Sequence, residues 1–286
     1  MINLLKGITT TLSTMGFNML FREVLRRIFG VKYYYHNVPV NSTVTFRFLR
    51  SLVAKGYHVY GFGNEFVVHT PFGDFVTDFA DIDLLYGLLE PLEEMYSDVD
   101  VKDAIVIDIG AYIGDTSLLF LSKGALRVYA LEPVDRHYHY LLKNISKNNS
   151  EGKIIPLNYG AWFYEANLDI SYEGPATGLH MPAKTSSTIK LKHLGDILRE
   201  IHRREGRIDL VKMDCEGCEY SLINLPDNDI RLAKQYIIEI HGSETPIIDK
   251  MMKSGYKTKF IKNLTDMITI YNFTYENSNE INSLNT

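Results

Sequence analysis

In residues 12–29, apolar Leu12, Met15, Met19, Leu20, Val24 and Ile28 recur at helical spacing, while Arg22, Glu23, Arg26 and Arg27 gather on the remaining face. The pattern predicts one amphipathic helix with a packed apolar stripe and a solvated basic side; an anionic membrane surface or a partner is the alternative use of that side. Residues 43–79 have another texture. YHVYGFGNEFVVHTPFGDFVTDF alternates aromatic or β-branched residues with polar ones and is punctuated by Gly61, Gly63 and Gly73, which predicts short antiparallel strands. A helix over 81–97 follows.

Beyond residue 100 the apolar runs shorten and become continuous. Candidate strands fall at 104–109, 127–131, 153–159, 208–213, 236–240 and 267–271, with helical stretches between most of them. Alternating strands and helices imply a mostly parallel sheet covered on both faces, with ligands bound outside the carboxyl ends of its strands. Residues 168–173 and the Gly174-Pro175 turn read as an inserted hairpin. The organisation expected is an N-terminal helical and β extension over 1–99, an α/β core over 100–274 and a polar tail over 275–286.

Composition narrows the function classes. A formal net charge of -5 argues against a general polyanion binder, so nucleic acid is not expected as a partner. No apolar run approaches the length needed to cross a bilayer, and the N-terminus lacks the features of a secretion signal, so the expected location is cytoplasmic, with a peripheral membrane contact as the alternative. Cys215 and Cys218 are the only cysteines, which excludes a disulfide framework and leaves at most half a zinc site. Apolar helix faces leave homo-oligomerisation open.

The stretch VIDIGAYIGDTS, from Val106 to Ser117, reads as strand, turn, helix. Gly110 ends the strand where a side chain would collide with a ligand, Gly114 permits close approach at the helix start, and Asp115, Thr116 and Ser117 can satisfy free amides of the first turn. The series Asp108-x-Gly110-x-x-x-Gly114, with bulky Tyr112 inside it, departs from the dinucleotide fingerprint and disfavours a pyrophosphate. The next strand ends at Glu132, 22 residues beyond Gly110, where an acid can accept hydrogen bonds from both hydroxyls of a ribose. Together the glycines and Glu132 fit an adenosine-containing ligand.

These residues carry a resemblance. DIGAYIGDTS followed by ALEP is similar to the cofactor motifs of class I S-adenosylmethionine-dependent methyltransferases, and VKMDCEGCEYSLI, from Val211 to Ile223, resembles a hallmark segment of the FkbM family within them. The resemblance implies a Rossmann-like fold with a seven-stranded, mostly parallel sheet, S-adenosyl-L-methionine as cofactor, and methyl transfer to a hydroxyl of a glycan or secondary metabolite. Two departures stand out. Tyr112 replaces a common asparagine, and the end of the third strand, Asn158-Tyr-Gly-Ala-Trp162-Phe163, lacks the aspartate that would receive the adenine amino group. Trp162 or Phe163 stacking on the base is the substitute, with burial in the core as the alternative. Asp108 is assigned to support of the turn and Asp115 to the methionine amine.

At the chemical end, Lys212, Asp214 and Glu216 cluster where a strand enters a helix, and Glu239 and His241 alternate onto one face of the next strand. Methyl transfer to a hydroxyl requires the acceptor proton to leave. Either His241 or Asp214 acts directly as general base, the arrangement preferred here, or Asp214, Glu239 and His241 hold a divalent metal that acidifies the hydroxyl. Glu219 is expected to tend a helix N-terminus. Two other readings remain open: a noncatalytic nucleoside-binding module engaging a partner, and an NAD-dependent oxidoreductase.

Overall fold

The single helix predicted over 12–29 is realised as the end of one helix, α1 (Ile2–Thr14), and the whole of another, α2 (Phe17–Phe29). Gly16, at φ 82°, breaks the run, and the amides of Met15 and Gly16 both return to the Thr11 carbonyl. The packed face also differs from the expectation. Met19 and Glu23 are buried, while Leu12, Val24 and Ile28 are exposed. Glu23 goes inward because its charge is fully engaged: Arg26 and Arg27 approach it to 2.8 and 2.7 Å, and the buried Tyr33 hydroxyl lies at 3.3 Å.

The computed structural model describes residues 2–173 and 184–275, in two compact units: one up to Leu92, the other from Glu93 to Tyr172 and again from Lys184. In the first unit, β1 (Tyr33–Tyr35) and β2 (Val38–Val40) form a hairpin whose turn residues His36 and Asn37 both have positive φ. The strand texture expected from residue 43 begins later, because 43–54 is a helix. Ser42 accepts the Thr45 amide at 3.0 Å as its N-cap, and Phe46, Leu49 and Leu52 line one face of α3 (Thr43–Ala54). Strands β3 (His58–Phe62), β4 (Glu65–Thr70) and β5 (Gly73–Asp78) then form the antiparallel meander the alternation predicts. Instead of one helix over 81–97 there is a 3-10 segment, Phe79–Leu89, and a single turn, α4 (Leu92–Met95), with Pro91 between them.

The second unit is built on a seven-stranded sheet. In chain order its elements are β6 (Ile105–Ile109), α5 (Asp115–Ser122), β7 (Arg127–Leu131), α6 (Asp135–Lys147), β8 (Ile154–Leu157), β9 (Gly160–Trp162), β10 (Ala166–Glu173), β11 (Lys184–His193), α7 (Leu194–Glu205), β12 (Ile208–Met213), α8 (Asp227–Ile230), β13 (Ala233–His241), α9 (Thr245–Lys253), β14 (Tyr256–Thr265) and β15 (Ile268–Tyr275). The spatial order is β14-β15-β13-β12-β6-β7-β8, with β15 antiparallel to both its neighbours and the remaining pairs parallel. All six core strands read from the pattern are present. Strand β14 has no counterpart in that reading because it is an edge strand rich in exposed Lys257, Lys259 and Asn263, with two register shifts. Strands β10, β11 and β9 form a separate three-stranded sheet; the expected Gly174-Pro175 turn and the tail from 276 lie outside the described residues.

One face of the large sheet carries the apolar cluster of Ile107, Met213, Ile238 and Ile240 under α7 and α9. The other carries Asp108, Lys212 and Glu239, since side chains alternate along each strand and Lys212 is in register with Asp108. Chain order reverses beside β6, so its carboxyl end and that of β12 flank a crevice. Gly110 sits there at φ 80°, and a Cβ on it would fall 1.8 Å from the Asp214 carbonyl oxygen. The glycine is therefore demanded by the chain's own backbone as well as by any ligand. Gly110→Ala is expected to lose about 3 kcal/mol or more of stability, read by urea denaturation.

Candidate active site

The site grows from a charged pair inside the sheet. Lys212 is 1% exposed, with its Nζ 3.1 Å from Asp108 Oδ1, 3.7 Å from Asp214 Oδ2 and donating to the Gly110 carbonyl at 2.9 Å. Burial opposes its charge, but Asp108 and Asp214 overcome that cost and hold its pKa well above the ordinary lysine value. Asp108 is completed by the hydroxyls of Thr116 and Ser117, which donate to Oδ2 at 2.7 and 2.6 Å. Thr116, expected at the cofactor, thus turns its hydroxyl inward onto Asp108.

Around the glycine turn, Tyr112 adopts φ 51°, a left-handed conformation normally left to glycine or asparagine. Its amide donates to Glu132 Oε2 at 3.0 Å, and the Val134 amide donates to Oε1 at 2.8 Å. Glu132 is therefore a buried brace between the turn and the second strand, with further lone pairs available for a ribose. Asp115 is buried at the start of α5, and burial raises its pKa to about 6 against the opposing field of Lys212. An ammonium group beside it would relieve that desolvation, which fits the amine of S-adenosylmethionine. Gly114, at φ 94°, closes the turn. Trp162 is half-buried against the apolar cluster at the end of β9 and meets Phe163 edge-on at 5.0 Å.

At the acidic end, the imidazole of His241 is enclosed by carboxylates. Its Nδ1 lies 3.3 Å from Glu219 Oε1, and its Nε2 lies 3.4 Å from Glu239 Oε1 and 3.6 Å from Glu216 Oε2. Burial would strip the ring of its proton, but the hydrogen bonds to Glu219 and Glu239 prevail and raise the pKa to about 10. Enclosed by three carboxylates, the His241 ring is held in its protonated form at neutral pH. Asp214 differs. Its side chain is 30% exposed, and burial lifts its pKa to about 6 while Lys212 pulls the other way. It is ionised at neutral pH yet basic enough to take a proton.

Glu219, read from sequence only as a helix-end residue, holds this arrangement together. Fully buried, it accepts the Gly217 amide at 2.8 Å and the His241 amide at 2.9 Å, tying the loop after β12 to the end of β13. The Glu-Gly-x-Glu spacing was the available signal, but its reach across to β13 is a tertiary fact. Glu216, at φ 55°, points largely into solvent. Cys215 and Cys218 are joined by a disulfide across the same loop, with Cα atoms 5.5 Å apart, a pairing the sequence reading did not include.

The chain belongs to the FkbM methyltransferase family: the Methyltransferase FkbM domain matches residues 108–264, the stretch holding the glycine turn, Glu132, the Lys212–Glu219 segment and His241. Hexuronic acid methyltransferase AglP of Haloferax volcanii is 28% identical over 174 residues, covering 57% of this chain and 64% of that protein, so the chain matches somewhat less than two thirds of its relative. Among solved structures, Methyltransferase FkbM from Methylobacillus flagellatus is 18% identical with a TM-score of 0.46, covering 69% of this chain and 55% of that one. M. jannaschii TYW2 in complex with AdoMet is 19% identical with a TM-score of 0.43, covering 76% and 89%. The cofactor of this family is S-adenosylmethionine, and the nicotinamide reading is set aside.

Two measurements follow from the buried charges. Lys212→Met leaves Asp108 unpaired and is expected to cost about 3 to 5 kcal/mol in urea unfolding, with much of the loss recovered in the Asp108→Asn, Lys212→Met double variant. His241 has a raised folded pKa, so its stabilising contribution is complete below about pH 6.5 and is lost as pH rises toward about 10. The stability gap between the native protein and His241→Gln should narrow across that window.

Proposed function

We propose that the protein is an S-adenosylmethionine-dependent O-methyltransferase that acts on a sugar hydroxyl, with Asp214 as the proton acceptor. The observation that carries this is Asp214 itself: a half-open carboxylate at the carboxyl edge of β12, beside the buried Lys212 ammonium, with its pKa raised to about 6. The cofactor supplies an electrophilic methyl group. In this reading Glu132 holds its ribose and Asp115 its amine, the first carboxylate accepting the Tyr112 amide and the second the Thr116 amide. The acceptor oxygen forms a bond to the methyl carbon as the carbon–sulfur bond breaks, and the hydroxyl proton passes to Asp214. The ring of His241, engaged by Glu219 and Glu239, orients the end of β13 and adds positive charge among the surrounding acids. A sugar acceptor is supported by the hexuronic acid named for AglP.

A second reading rests on two observations. Glu239 Oε2 is buried without a hydrogen-bond partner, and Asp214, Glu239 and His241 each offer a ligand atom within 4.8 Å of the others. A divalent cation there would lower the pKa of the acceptor hydroxyl instead.

Calorimetric titration with S-adenosylhomocysteine should show saturable binding that Glu132→Ala abolishes. With uronic acid and neutral sugar acceptors, Asp214→Asn should lower turnover by roughly 10²- to 10⁴-fold while leaving that binding intact. Full activity after chelation supports Asp214 as base. Activity that vanishes on chelation and returns with Mg²⁺ or Mn²⁺ supports a cation that acidifies the hydroxyl, whose proton then leaves to solvent.

A further inference from the structure

The apolar side chains Phe17, Phe21, Val24 and Ile28 follow one another at intervals of four, three and four residues, so they form a single stripe along α2. They lie opposite the buried Met19 and Glu23, which anchor the helix through its other face. Phe29 and Val31 extend the stripe beyond the helix end, and the six side chains are between 42% and 70% exposed. A contiguous run of large exposed apolar groups marks an interaction surface.

Charge identifies the occupant. The first 64 residues carry eight Lys and Arg and a single acid, Glu23, a formal +7, whereas the remaining 222 residues carry -12. That one acid is buried and neutralised by Arg26 and Arg27, so it presents no negative charge at the surface. Arg22 on the helix and Lys32 just after it are both exposed, and Arg22 Nη1 reaches back to the Tyr34 carbonyl at 3.5 Å. An exposed apolar face flanked by cations, in a segment of opposite sign to the rest of the chain, matches a helix lying in the headgroup layer of an anionic bilayer. None of the described helices is long and apolar enough to cross a membrane, so the contact is one of lying on the surface.

We infer that α2 docks the protein onto anionic lipid membranes, its Phe17, Phe21, Val24 and Ile28 stripe entering the interface and Arg22 and Lys32 meeting the headgroups. The inference stands apart from the methyltransferase reading.

The test is flotation of the full chain with vesicles of phosphatidylcholine alone and of phosphatidylcholine with phosphatidylglycerol. Binding to the anionic vesicles, weakened by salt and reduced about tenfold or more in Phe21→Ser, Ile28→Ser, is expected. Because apolar-to-polar changes can disturb packing, Arg22→Glu, Lys32→Glu provides a second variant at exposed positions, expected to lose anionic binding with an unchanged melting temperature. Equal flotation of the native protein and both variants, or no flotation at low salt, overturns the proposal. So does a dimer in sedimentation that the serine variant dissociates while lipid binding is absent, which would assign the stripe to a second copy of the chain.

Discussion

The buried Lys212–Asp108 pair is the interaction on which the site depends. An ammonium at 1% exposure is tolerable only with its charge compensated, and the compensation comes from three directions: Asp108 on the neighbouring strand, the Gly110 carbonyl and Asp214. Each of those contacts fixes something functional. Asp108, engaged by Thr116 and Ser117, pins the first turn of α5 to the sheet. The bond to Gly110 sets the carbonyl direction in the glycine turn. Attraction to Asp214 places a carboxylate at the strand edge with a cation behind it.

A second network works one strand further along. Glu219 links the loop after β12 to the end of β13 and orients the His241 ring toward Glu239 and Glu216. The two networks divide the acids by environment. Glu219 is saturated with hydrogen bonds and held below its ordinary pKa despite burial, whereas Asp214 is desolvated with fewer partners and titrates near 6. That difference separates an acid that positions from one suited to move a proton.

The first unit follows another logic, since its most informative residues are turned outward. Helix α2 buries a neutralised acid and exposes phenylalanines, the reverse of the usual partition. Burial of the acid is tolerable because Arg26 and Arg27 pair with it, and the opposite face is the one inferred to meet a bilayer.

Strand and helix alternation after residue 100, the strand-turn-helix around Gly110 and an acid, Glu132, at the end of the second strand were all legible in the chain, because local periodicity and turn chemistry encode them. The family hallmark at Lys212–Glu219 was legible for the same reason, as a short run of residues close in sequence. Tertiary structure alone decided which face of α2 is buried, that residues 43–54 form a helix, and that a lysine-rich segment adds the seventh strand. It also decided the surroundings of His241, whose three carboxylate neighbours come from positions up to 25 residues away, and the inward use of Thr116. Those features depend on burial and on distances between separate elements, and a pattern of residues along one chain specifies neither until the elements have packed.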